Sequence, residues 1–406
     1  MKLNYIFVTE LLIYFISMKK IHLITCLAVA LSLASCIKDE PLNQECDILS
    51  AWVQGDEYKS CFYQPETDMR KDNVLISSSE IVFTVKSMIS LPKLPLYFFL
   101  TPGATITPAN GSEQDFTNGP VVYTVTSEDG SWTRQYKVEF READLPTLKY
   151  DFENYEILNG DFFFGAIKYS YYSWYEYDKN GNKISLWASG NQGFGMGNSN
   201  LEPDQFPTVP DSNGYDGNCV RMQTLSAGPL AAAAQKYIAA GNLFIGAFDV
   251  NKALTNSLES TLMGDGNAFP EEPVKVTGYY KYRPGAEFVN EQNQVVAGKT
   301  DEGDIYAVLY RNTDANGDPV VLDGGNVLTS EYIVSKARVA SLPPTDEWKP
   351  FELFFEDIAP IDQEKLDAYG YNLALVFSSS KDGARFCGAI GSTLFIDKVT
   401  ISLEKD

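Results

Sequence analysis

The stretch 121–140, VVYTVTSEDGSWTRQYKVEF, decides the fold of the first half of the chain. Val121-Val122-Tyr123-Thr124-Val125-Thr126 alternates small or polar with large apolar side chains, and Trp132 to Phe140 alternates again. A period of two puts each set on its own face of a strand. Between the runs, Ser127-Glu128-Asp129-Gly130-Ser131 is all turn chemistry, and Asp-Gly flanked by alternating strands signals a hairpin. Upstream, residues 46–53, 81–85 and 97–100 are further short runs rich in β-branched and aromatic residues, separated by turn formers. About a hundred residues in this pattern imply an immunoglobulin-like β-sandwich, assigned to 46–144. The polar run Arg141-Glu142-Ala143-Asp144-Leu145-Pro146 breaks the alternation and marks the boundary.

Beyond it, residues 145–406 carry β signals to the end. Strands are expected at 274–282, 305–310, 332–340, 351–355, 373–377 and 394–403, with Asn180-Gly181 at a hairpin tip and Asp314 to Asp318 as a turn. One run, LAAAAQKYIAA at 230–240, reads as a helix closed by Gly241-Asn242. Strands and helices do not alternate, so a second, larger antiparallel jelly roll of two sheets is the economical architecture. The chain is read as all-β.

The N-terminus carries an address. Met18-Lys19-Lys20, an apolar run at 24–33 and the small pair Ala34-Ser35 make a secretory signal, 1–35, with Met18 as the expected true start. Its apolar core is far shorter than the roughly 20 residues of a spanning helix. Leu33-Ala34-Ser35-Cys36 resembles the bacterial lipobox, which implies acylation at Cys36, and 36–45 is read as a lipidated tether. Lys38-Asp39-Glu40 resembles the short charged export signal of Bacteroidetes lipoproteins. The expectation is a protein anchored by lipid to the outer membrane and exposed at the cell surface.

Composition narrows the chemistry. The leader holds Lys2, Lys19, Lys20 and Glu10, so cleavage leaves 29 basic and 53 acidic residues, net −24. That balance excludes nucleic acid, which demands clustered Lys and Arg. The chain's one histidine, His22, lies in the leader. Without imidazole there is no Ser-His-Asp or Cys-His nucleophile and no ordinary zinc or copper site. Carboxylate chemistry and hard oxygen-ligated cations remain. Of the cysteines after the anchor, Cys46 and Cys61 could bridge across a Gly55-Asp56 turn, whereas Cys219 and Cys387 read equally as buried free thiols or as a bridge.

Three segments carry a resemblance. AAGNLFIGAFD (239–249), GYYKYRPG (278–285) and VFSSSKDGARFCGAIGSTLFIDKVTI (376–401), with DFENYE and SLWASGNQGFG before them, are similar to the "putative carbohydrate metabolism domain" of Bacteroidetes surface lipoproteins. The resemblance covers about 150–404 and implies a jelly roll similar to carbohydrate-binding modules, in a family some of whose members are described as glycoside hydrolases or xylanases. The first domain likewise resembles the spacer sandwiches next to such lipid anchors. Because carbohydrate-binding jelly rolls often open on a Phe-Glu strand and close on an Ile-Asp strand, the resemblance implies Asp151, Glu153 and Asp397 as ligands of a structural calcium. The alternative is that these carboxylates bond backbone amides. The Asp314 run does not complete a calcium loop, since its sixth position is Pro319 and its twelfth Gly325. Gly193-Phe194-Gly195-Met196-Gly197 has neither the helix nor the lysine of a phosphate cradle.

Sugar recognition needs exposed aromatic faces beside hydrogen-bonding groups. Trp187 with Asn191 and Gln192, in a glycine-rich stretch, is the first candidate, followed by Trp174, Tyr280 and Tyr282; Tyr279, Tyr310 and Trp348 are also considered. In GYYKY one parity must face the core, so either Tyr280 and Tyr282 or Tyr279 and Lys281 are presented outward. A glycosidase needs two facing carboxylates, and the many acidic residues select no pair by spacing. The expected function is glycan capture, of a polysaccharide or oligosaccharide, for uptake machinery at the cell surface. The alternatives are a carboxylate-dependent glycoside hydrolase and a structural or adhesive surface protein.

Overall fold

A computed structural model describes residues 41–404 except 63, 143, 144, 164, 179 and 254; Cys36 and the leader lie outside the described residues. The chain divides into two units, residues up to 143 and residues from 144 on.

In the first unit the quoted stretch forms the expected hairpin. Val121–Thr126 and Thr133–Glu142 pair antiparallel with Tyr123 opposite Tyr136. Tyr123, Val125, Tyr136, Val138 and Phe140 are buried, whereas Val122 is half exposed, so the period of two reports the core face. At the turn, Asp129 accepts from Ser127 Oγ at 2.7 Å and Ser131 N at 2.9 Å, and Gly130 takes φ 72°. Two four-stranded sheets enclose a core in which Phe83 stacks on Phe140 at 4.9 Å. Pairing is antiparallel except that Glu80–Val85 runs parallel to Thr133–Glu142.

The second unit is a jelly-roll sandwich. One sheet orders Thr208–Asp211, Cys219–Gln223, Thr393–Leu403, Pro273–Arg283 and Thr345–Phe354, with Thr147–Tyr150 also on Thr393–Leu403. The other orders Trp187–Ala188, Asn242–Phe248, Tyr371–Ser378, Asp304–Arg311, Ile333–Arg338 and Glu356–Asp357, with Thr261–Met263 beside Asn242–Phe248. Tyr280, Tyr282, Ile396 and Ile401 of the first sheet meet Ile305, Leu309, Leu373 and Phe377 of the second in one core. The second sheet also buries its other face, where Phe244, Tyr306, Val308, Tyr310 and Val376 form a separate cluster.

Three expectations are corrected. The alanine-rich run is helical only over Pro229–Ala233; Gln235 turns at φ 60°, and Ile238–Ala239 then pairs with Leu225–Ser226. Fully burying Ile238 in a strand outweighs the modest helix preference of the alanines. Conversely, the glycine-rich 191–197 is a helix, because Phe194 and Met196 fill a satellite core against Tyr169. A Cβ on Gly195 would lie 2.2 Å from the Tyr169 ring, so only glycine permits that approach. Finally, Cys46 and Cys61 are free thiols and do not bridge; Cys219 and Cys387 are buried free thiols, one of the two readings left open, and burial pushes Cys219 up to about 12.

Candidate functional site

The aromatic platform expected around Trp187 is core. Trp187 is 3% exposed, with Tyr150 at 5.2 Å, Phe152 at 5.4 Å and Phe377 at 6.2 Å, and its Nε1 donates to Glu176 Oε1 at 2.9 Å. No sugar can reach a ring so enclosed. Asn191, fully buried, clamps the short helix to a strand: Nδ2 donates to the Thr208 carbonyl at 2.7 Å and Oδ1 accepts the Thr208 N–H at 3.1 Å. Gln192 Nε2 donates to the Tyr171 hydroxyl. Trp174 is buried beside Tyr155, and Tyr280 and Tyr282 take the core parity, donating to the carbonyls of Pro343 and Ser379. Five of these six residues are buried in the core and Gln192 is half-buried against Tyr171; local alternation and composition cannot say which aromatic face is covered.

The opposite parity faces outward. Tyr279 stacks on Tyr215 at 3.6 Å, Trp348 lies edge-on to Tyr215 at 6.4 Å, and Lys281 Nζ sits 4.4 Å from the Trp348 ring and 5.0 Å from Phe395. The stack covers one face of each tyrosine and leaves Tyr215 48% exposed.

Glu153 and Asp397 do converge, though on backbone. Glu153 accepts from Asn218 N at 2.8 Å and Asn218 Nδ2 at 2.6 Å. Asp397 accepts from Asp216 N at 3.1 Å and Lys398 N at 2.7 Å. Asp151 Oδ1 accepts the Glu153 N–H at 3.3 Å. The pair pins the loop 213–218, where a Cβ on Gly217 would lie 2.0 Å from Glu153 Oε1. Among the described residues no three acidic side chains gather as metal ligands. The N–H donors they accept, from backbone and from the Asn218 side chain, correspond to the backbone-bonded alternative. Burial pushes Asp397 up, against the lowering effect of its N–H donors.

A cavity of about 210 Å³ lies on the non-core face of the second sheet. Phe244, Tyr306, Val376, Asp304 and Ser378 form its floor. The helix Asn191–Gly197, the alanine run and the loops at 253–261 and 378–386 wall it. Small side chains keep it open: Ala231, Ala234, Ala239 and Ala240 belong to the run misread as one helix. That run, with Lys236 inside it, was the sequence signal for this site.

The cavity's charges are specific. Among the described residues that line it, Asp304 is the one acidic side chain. Arg338 donates to both its oxygens, Nε at 3.1 Å and Nη2 at 2.6 Å. Burial pushes Asp304 up, opposed by that guanidinium. Lys381 Nζ lies 3.4 Å from Glu302. Lys236 Nζ donates to the Ala253 carbonyl at 3.3 Å and sits 5.2 Å from the Phe386 ring, and burial pushes it down. The 378–386 wall hangs on Asp301, whose Oδ2 accepts from Ser380 Oγ at 2.6 Å, Ala389 N at 2.7 Å and Ser392 Oγ at 2.7 Å.

Comparison with known proteins agrees with this architecture. Residues 121–402 match the family model described as "Putative carbohydrate metabolism domain", and 67–139 match "SGBP, N-terminal". A "putative glycoside hydrolase" from Bacteroides thetaiotaomicron is 37% identical, covering 91% of this chain and 100% of its own, with a TM-score of 0.57. Another so described, from Bacteroides vulgatus, is also 37% identical, covering 63% of this chain and 98% of its own, with a TM-score of 0.57. No curated protein matches.

Proposed function

The chain belongs to the "putative carbohydrate metabolism domain" family, and from that premise we propose that it binds glycan at the cell surface, for capture or uptake of polysaccharide. The single observation that carries binding over hydrolysis is the Asp304–Arg338 pair. Glycoside hydrolysis uses two carboxyl groups across the scissile bond, about 5 Å or about 6.5–9.5 Å apart. The cavity's one acidic side chain among the described residues is instead held at both oxygens by a guanidinium. Apolar lining from Phe244, Phe248 and Phe386, with a few polar groups, suits the C–H faces and hydroxyls of a sugar. Lipid attachment at Cys36 and residence in the outer membrane are part of this proposal, and no helix among the described residues is long and apolar enough to cross a membrane.

The hydrolase reading has the names of the two Bacteroides relatives in its favour. The deciding experiment runs the protein through affinity gels cast with a panel of polysaccharides and assays the same panel for reducing-sugar release. Retardation without release supports binding. Release that survives purification overturns it in favour of the hydrolase, and neither outcome leaves a structural or adhesive role.

A further inference from the structure

Resting on that reading, we propose that the cavity recognises the carboxylate of an acidic sugar, a uronic acid carried sparsely on an otherwise neutral glycan, with Lys236 as the counter-charge. Two independent observations carry it. The first is charge. Of the three ionisable Lys, Arg, Asp or Glu side chains lining the cavity among the described residues, Asp304 is matched by Arg338 and Lys381 by Glu302. Lys236 has no carboxylate partner among the described residues, only a carbonyl and a ring. An ammonium drawn partly out of water without a counter-ion is costly, and an incoming anion offsets that cost.

The second is an unused hydrogen-bonding group. Tyr306 lines the same cavity, and its hydroxyl makes no hydrogen bond within the described residues and is not a fully buried unpartnered atom, so it opens on the cavity. By contrast Tyr280, Tyr282 and Tyr310 each donate to a carbonyl. A hydroxyl open to the cavity can donate to or accept from a polar atom of a ligand that enters it. The surrounding field sets the density of charge on the ligand. A chain of net −22 repels a polyanion, while one local cation accommodates one local anion. The ligand class is therefore a neutral backbone with scattered uronic acid groups, not a polyuronate.

The probe is a glucuronoxylan beside the same polymer after carbodiimide-borohydride reduction of its uronic acids to neutral sugars. Wild-type protein is expected to bind the native polymer about tenfold or more tightly, the size of a charge-assisted hydrogen bond of about 1.5–3 kcal/mol. Lys236→Met, which keeps the apolar stem, should bring that ratio close to one, and Lys236→Arg should retain it. Equal wild-type affinity for the two polymers overturns the uronate assignment and leaves glycan binding standing. Dextran sulfate binding as tightly as glucuronoxylan also overturns it, in favour of a generic anion site. Absence of binding to every polysaccharide, reduced or not, overturns the glycan reading itself. The comparison of polymers needs only the wild-type chain, so a variant that fails to fold does not remove the test.

Discussion

The Trp187 indole N–H donates to Glu176 Oε1 at 2.9 Å, across a core in which the tryptophan is 3% exposed. A residue read from sequence as a sugar platform is thereby a structural post, and Trp187→Ala should unfold the second unit rather than blunt its recognition. Removing a buried tryptophan costs about 3–5 kcal/mol. Urea denaturation followed by circular dichroism should show that loss. A variant of wild-type stability with reduced glycan affinity would return Trp187 to the surface.

Glu176 adds a pH dependence. Burial, and after it the charge of Asp151, push its carboxyl above the ordinary 4.5, while the indole N–H draws it down. The folded state thus holds the proton more tightly than the unfolded chain. This contribution to stability is full below the unfolded value and is lost as pH rises through the folded one. Glu176→Gln, which resembles the protonated form, should therefore gain most relative to wild type near neutral pH and least in acid. Urea midpoints taken across that range check the sign; a gain confined to low pH contradicts it.

Asp301 gathers Ser380, Ala389 and Ser392 on one oxygen and is 2% exposed. Asp301→Asn should cost at least about 2 kcal/mol, since the buried acceptor loses its charge and an amide N–H2 can oppose the Ala389 N–H. Because this hub holds a cavity wall, glycan affinity should fall as well. Unchanged stability in denaturant titration would remove Asp301 from that role.

In the first unit, Tyr123 is fully buried and its hydroxyl has no hydrogen-bond partner among the described residues. Burial pushes it up to about 12. Tyr123→Phe should stabilise the sandwich by about 1 kcal/mol, the relief of an unsatisfied buried hydroxyl. Calorimetry on the full chain should show the gain in the first unit's transition, and a lower Tm there would mean that the hydroxyl is satisfied in solution.

Glu153 and Asp397 pin loop 213–218 through N–H groups. Millimolar EDTA should accordingly leave Tm unchanged. A Tm that falls on chelation and returns with calcium would show that a cation sits there, because a ligand bound only to the folded state raises stability by mass action.

Much of the fold was legible locally. Alternation at 121–140 named both strands and the turn, and the parity argument at 279–282 correctly allowed only one outward pair. Other features had no local signal. In Thr393–Leu403, Ile396 is core and Asp397 faces away, yet Val399 is core again, because Lys398 takes φ 47° and the register shifts opposite Thr277 and Tyr279. Strict alternation would have turned Val399 outward. The alanine run likewise reads as a helix until Ile238 finds a partner strand and the remaining methyl groups become a cavity wall.

The amino-acid sequence by itself determined the β architecture, a histidine count of one, at His22, and the acidic field, because these depend on periodicity and composition, which each segment carries alone. Only the tertiary structure decided which aromatics are covered, which carboxylates are already paired and where Lys236 and Tyr306 meet a common space. Those properties arise between strands far apart in the chain, where burial and partners are set by packing and not by neighbours in sequence.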